Sequence, residues 1–163
     1  MSYQKLQGYI AVEVLPSDNA NIPFPGDIVK GQVTAVGTDK LIDTSGVSFT
    51  KNGVDTGDIV YNVTLQTAAT VLKVSDSTSL ILNSNIMLAV GDEYIIYPAS
   101  QNSGAFDANN GCVLYVGVSG DLEVTTIGGS KVSFKNMPVG FVPVQVKKIW
   151  STDTAAKEII ALW

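Results

Sequence analysis

Three close pairs of carboxylates are the side chains in this 163-residue sequence best suited to acid–base work: Asp55 with Asp58, Asp92 with Glu93, and Asp121 with Glu123. Two carboxyl groups flanking a glycosidic bond hydrolyse it, one as acid and the other as base or nucleophile. Each pair, however, falls at a turn or a strand start, where Asp accepts backbone hydrogen bonds. Nothing in the spacing brings two of them into one cleft, and it does not follow the alternating-oxygen pattern of a calcium loop. Turn chemistry is therefore their expected role, and a glycosidase is a distant third reading. The sequence has no His, and all ten basic residues are Lys. That excludes Ser–His and Cys–His nucleophile pairs and imidazole metal ligands, and leaves no Arg fork for a phosphate. Gly128-Gly129 joins two strands and does not open a helix, so no phosphate-binding loop is expected. Cys112 has no partner for an intrachain disulfide and lies in the apolar run Cys112–Val116, as a buried, inert thiol does. The expectation is a non-enzyme with no cofactor and no metal.

Aromatic faces bind sugars, so Tyr94, Tyr97, Tyr115, Trp150 and Trp163 keep open an alternative reading, a carbohydrate-binding or adhesin module that recognises a host surface. A net charge of −5 and a pI near 4.5 argue against nucleic acid or an anionic membrane as partner, because both need a positive field. Residues Met1–Gly8 lack the basic-then-apolar layout of a secretory signal, and no apolar run reaches membrane-span length. Synthesis in the cytoplasm is expected.

The elements that must carry these residues are strands. Val, Ile and Thr number 21, 13 and 13, together 47 of 163 residues, and such β-branched enrichment with scattered Gly and Pro favours sheet over helix. With 45% apolar and 15% charged residues and a mean hydropathy of +0.24, the chain is too apolar for disorder. Ile10, Val12 and Val14 share one side of a first strand. Two polar, proline-marked breaks follow, Asn19–Gly26 and Pro98–Gly104. Between them, residues 27–97 divide into short strands: 27–36, 40–42, 59–63, 70–74, 80–82 and 93–97. Asn52-Gly53 and the serine-rich run 75–79 mark turns. From Gly111 a meander is expected, with strands 113–118, 122–127 and 131–135 joined by tight turns at Ser119–Asp121 and Gly128–Ser130. Pro143 marks the next strand as an edge or a bulge. The apolar end, Ile159–Trp163, implies a last strand that either closes the core or docks on a neighbouring subunit.

The stretches Leu114–Val124, Val132–Gly140, Val144–Ile149 and Ile159–Trp163, preceded by Val14–Pro23, resemble the small virion proteins of tailed phages related to the spike base of gene transfer agent heads. They cover about half of the chain. Residues 27–97 depart from the short family members, which run almost directly from the proline segment into the Leu-Tyr-Val-Gly strand. This insert resembles a β-module of other phage structural proteins. The resemblance implies an all-β base domain, a small sandwich or barrel, built from residues 1–26 and 98–163, with 27–97 as an inserted β-domain. It also implies a virion protein that decorates or caps the capsid, as head decoration or vertex spike base, and is assembled in the host cytoplasm. Its expected partners are its own copies and the major capsid protein or neighbouring virion proteins. The candidate interface residues are Phe24, Trp150, Ile159, Ile160, Leu162 and Trp163. Under the same resemblance, the carbohydrate-binding alternative becomes a module of a phage tail or fibre.

Overall fold

A computed structural model describes residues 10–26, 28–98 and 111–163. Among these the chain is all-β, without a helix. The strands are β1 (Ala11–Glu13), β2 (Val29–Gln32), β3 (Lys40–Ile42), β4 (Ile59–Asn62), β5 (Thr67–Val74), β6 (Ser79–Leu82), β7 (Glu93–Tyr97), β8 (Cys112–Val118), β9 (Gly120–Thr126), β10 (Lys131–Met137), β11 (Gly140–Ile149) and β12 (Lys157–Leu162). They form two antiparallel six-stranded sheets. The chain divides into a terminal unit, Met1–Val14 with Asn109–Trp163, and a central unit, Leu15–Ala108.

The terminal unit is one sheet in the order β1-β12-β8-β11-β9-β10. Its first and last strands pair across the length of the chain, with Ala11 opposite Leu162 and Glu13 opposite Ile160, and Val14 N–H continues the ladder to Ile159 O at 2.8 Å. Alternation puts Leu114, Val116, Leu122, Val124, Val142, Val146, Ile159 and Ala161 inside, each 1% exposed or less. Fully burying an aliphatic side chain contributes about 1.5–3 kcal/mol, so this file of residues is the main source of the sheet's stability.

The expected hairpin between β8 and β9 is not made. Ser119 alone separates these strands, and both pair with β11. The start of β9 lies instead against the chain before β12: Asp121 O accepts Ala155 N–H at 2.8 Å and Ala156 N–H at 3.1 Å. Gly120 allows that approach, since a Cβ there would sit 2.7 Å from Ala156 N. Pro143 accordingly lies in a central strand, not at an edge. The register shifts between Val142 and Val146, and again between Val146 and Lys148. Proline is tolerated because the bulge releases its residue from the ladder.

The central unit has the order β2-β7-β4-β5-β6-β3. Its edges are tied together by the bridge between Ala35 and Ile42 and by Thr34 N–H to Ile42 O at 2.9 Å, so the sheet curls into a small barrel. Val33, Leu41, Phe49, Val60, Val71, Leu80, Leu82, Tyr94 and Ile96 fill it. Residues 15–26, expected to belong with the base domain, pack on this unit. Ala20 and Leu15 cover Ile59, Tyr61 and Ala68 on the outside of the barrel. Ser17 Oγ donates to Ala68 O at 2.9 Å, and Phe24 N–H to Pro98 O at 3.0 Å. That cover explains why β4, Ile-Val-Tyr-Asn, is buried at every position. Prolines keep the segment out of the ladder but do not stop its apolar side chains from docking on a sheet face. The second break, residues 99–104, as well as Tyr9 and Asp27, lies outside the described residues.

Candidate functional site

The carboxylate pairs are engaged in structure. Asp58 Oδ2 accepts Asp55 N–H at 2.8 Å and closes their shared turn. Asp92 is buried and accepts the N–H groups of Leu88 and Ala89 and the amide of Asn62, all on Oδ2, at 3.1, 3.2 and 3.0 Å. Glu93 is exposed. Asp121 holds Lys135 Nζ at 2.8 Å and accepts Asn136 N–H at 2.9 Å, and these two bonds keep its carboxyl below the ordinary range. Glu123 pairs with Lys131 at 3.2 Å.

The sequence reading did not single out Asp43, which is fully buried. Its Oδ1 accepts both the N–H and the hydroxyl of Ser45, at 2.9 and 2.6 Å, and its Oδ2 accepts the Tyr94 hydroxyl at 2.6 Å. Burial alone would raise the Asp43 pKa; the three bonds outweigh it and hold the group ionised below its ordinary value. Burial and the adjacent carboxylate push the Tyr94 hydroxyl strongly upward, so it stays a donor. Gly31 lies directly beneath, where a Cβ would fall 2.5 Å from the Tyr94 oxygen and 2.6 Å from Asp43 Oδ2. This arrangement staples β2, the end of β3 and β7 together, and it has no room for a substrate. The Asx-turn signal Asp43-Thr44-Ser45 was present in the sequence, but nothing there indicates burial.

Cys112 is buried with its thiol 3.4 Å from Val146 O, and burial pushes its pKa up to about 12. Among the described residues no group of three His, Cys, Asp or Glu side chains is placed to hold a metal.

Register divides the outward face of the terminal sheet into two halves. On β12, β8 and the first part of β11, Leu162 stands opposite Val113, Ile160 opposite Tyr115, and Tyr115 opposite Phe141. The Tyr115 and Phe141 rings meet edge to face at 5.4 Å, and Phe141 is 63% exposed. Val139 and Val118, nearby in the chain, are exposed too. On β9, β10 and the end of β11 the same face carries Asp121, Glu123, Lys131, Lys135 and Lys148, and Trp150 follows directly after β11, its N–H on Glu123 O at 2.9 Å. Trp150 donates its indole N–H to Thr125 Oγ1 at 2.9 Å, with the ammonium groups of Lys148 and Lys131 at 3.8 and 4.2 Å from the ring centre. These are cation–π contacts that cover the ring.

The interface candidates therefore separate. Ile160, Leu162 and Trp163 are half-buried; Ile160 and Leu162 lie on the apolar half of this face, and Trp163 pairs its backbone with Ile10. Ile159 points into the core and presents no surface. Trp150 lies in the charged half, and Phe24 belongs to the central unit. Phe141 and Tyr115 complete the apolar half; the sequence reading placed Tyr115 among sugar-stacking aromatics and passed over Phe141, because the bulged register that pairs them is invisible in the linear alternation. The proposed sugar platform is divided: Tyr94 is inside the central barrel, and Tyr97 packs edge-on against Tyr61 at 5.2 Å. Comparison of the chain with protein-family models, curated proteins and solved structures finds no match.

Proposed function

We propose that this protein is a non-enzymatic structural component of a tailed-phage virion, a capsid decoration protein or vertex spike base that works as a homo-oligomer in contact with the capsid. The resemblance that suggests this reading runs along β8–β12. The observation that carries it is the apolar half of the terminal sheet's outward face, Val113, Tyr115, Phe141, Ile160 and Leu162. Contiguous apolar surface of this kind is normally covered by a partner, and aromatic residues are enriched where subunits meet. The charged half beside it is nearly balanced, with Lys131 paired to Glu123, Lys135 to Asp121 and Lys148 over the Trp150 ring, so a second copy meets little net repulsion there. The engagement of Asp43, Asp58, Asp92 and Asp121 in turns and staples agrees with a role that needs stable contacts and no reacting group.

The test is the mass of the purified full chain in solution. A closed oligomer is expected, and Phe141→Ser should shift it toward monomer while the thermal midpoint stays within a few degrees. A wild-type chain that sediments as a monomer at all concentrations overturns the homo-oligomer.

A further inference from the structure

The central unit gathers exposed aliphatic side chains at one end of its barrel. Three loops meet there: residues 33–39 between β2 and β3, 63–66 between β4 and β5, and 83–92 between β6 and β7. Val36, Leu65, Leu88 and Val90 lie on these loops and are 50%, 42%, 58% and 65% exposed; Leu72, on β5, is the one other large hydrophobic this exposed among the described residues of the unit.

A buried polar pair holds the loops. Asn62, fully buried, accepts Leu65 N–H on Oδ1 at 2.9 Å and donates its amide to Ile86 O at 2.8 Å and Asp92 Oδ2 at 3.0 Å. Asp92 in turn takes the N–H groups of Leu88 and Ala89. The 33–39 loop is tied to the 83–92 loop by Gly91 N–H to Val33 O at 2.8 Å, Val33 N–H to Asp92 O at 2.9 Å, and Asp39 N–H to Asn85 Oδ1 at 3.2 Å. A buried carboxylate and carboxamide are costly unless hydrogen-bonded. Here several of their bonds go to loop backbone, so the loops are ordered before anything binds, and association does not have to order them.

Charge selects the partner. The central unit holds ten of the fifteen acidic residues and four of the ten lysines, a net charge of −6, which leaves +1 on the terminal unit. Asp39 and Glu93 border the loops, with Lys40 the neighbouring cation, its stem against Gly37. A second copy would bring the same charge to this end, and an anionic bilayer would also be repelled. We propose that these three loops form a docking surface for a protein that presents an apolar recess ringed by Lys or Arg. The proposal does not rest on the virion reading.

The probe is an amphipathic helical peptide of leucine and lysine, titrated against the full chain by calorimetry. It should bind, Leu88→Ser with Val90→Ser should weaken it at least about tenfold, and Leu72→Ser should leave it unchanged. The variants change exposed side chains, so an unaltered thermal midpoint shows that the fold is intact. The proposal is overturned if the wild-type chain does not bind, if the double variant binds equally, or if a lysine–serine peptide binds as tightly. Vesicles of phosphatidylcholine and phosphatidylglycerol that retain the wild-type chain but not the double variant would assign the surface to lipid. A drop in solution mass in the double variant would assign it to a second copy.

Discussion

The terminal and central units carry the same strand chemistry and handle polar groups in opposite ways. The central barrel encloses Asp43, Asp58, Asn62 and Asp92, each 5% exposed or less. The buried residues of the terminal sheet are apolar among those described, and its charges stand outside, beside an apolar strip. Hydrogen-bonded polar groups inside a barrel specify where particular loops go but contribute modest net stability. Aliphatic interiors contribute more and specify less. The first arrangement fixes loops, and the second frees a sheet face for contact.

The largest expected effect falls on the terminal core. Leu114→Ala should cost about 3–5 kcal/mol, because the closely packed strands around it cannot collapse into the cavity. Both tryptophans, Trp150 and Trp163, belong to this unit, so urea unfolding followed by their fluorescence reads it directly. A loss below about 1 kcal/mol would mean that the interior is not packed as described.

A smaller effect is expected at the barrel's polar staple. Tyr94→Phe removes the hydroxyl that Asp43 Oδ2 accepts and should cost about 1–3 kcal/mol. The sign with pH follows from Asp43. Its folded pKa is depressed, so its contribution is present above the ordinary value of 3.8 and is lost as pH falls through that value and on toward the lower folded one. Tyr94→Phe weakens that depression, so stability measured between neutral pH and pH 3 should fall less steeply in the variant than in the wild-type chain. Equal slopes would assign the acid sensitivity elsewhere.

The smallest effect is an absence of reaction. With its pKa pushed up to about 12 and its sulfur buried, Cys112 should resist alkylation by iodoacetamide at neutral pH and react only on unfolding. Rapid modification of the native chain would show that β8 opens.

Strand positions were legible because they depend on local alternation: 40–42 and 93–97 match β3 and β7, and the expected run 80–82 falls within β6. Which strand neighbours which was less legible. Ser119–Asp121 has the composition of a tight turn, yet β11 inserts between β8 and β9, a choice made by contacts with Ala155 and Ala156 far along the chain. Residues 19–26 read as a linker because proline forbids the ladder, while the packing of Ala20 on Ile59 and Tyr61 depends on the barrel already being formed. The carboxylates were legible as turn formers. That Asp43 is buried under Tyr94 depends on a separation of 51 residues that no local pattern encodes.

The proposed role in a virion is tested most directly by quantitative mass spectrometry of purified phage particles from the culture that produces this chain. The intact protein is expected in fixed stoichiometry with the major capsid protein, retained through density-gradient purification. Its absence from particles, with the protein recovered free in the lysate, would overturn that role.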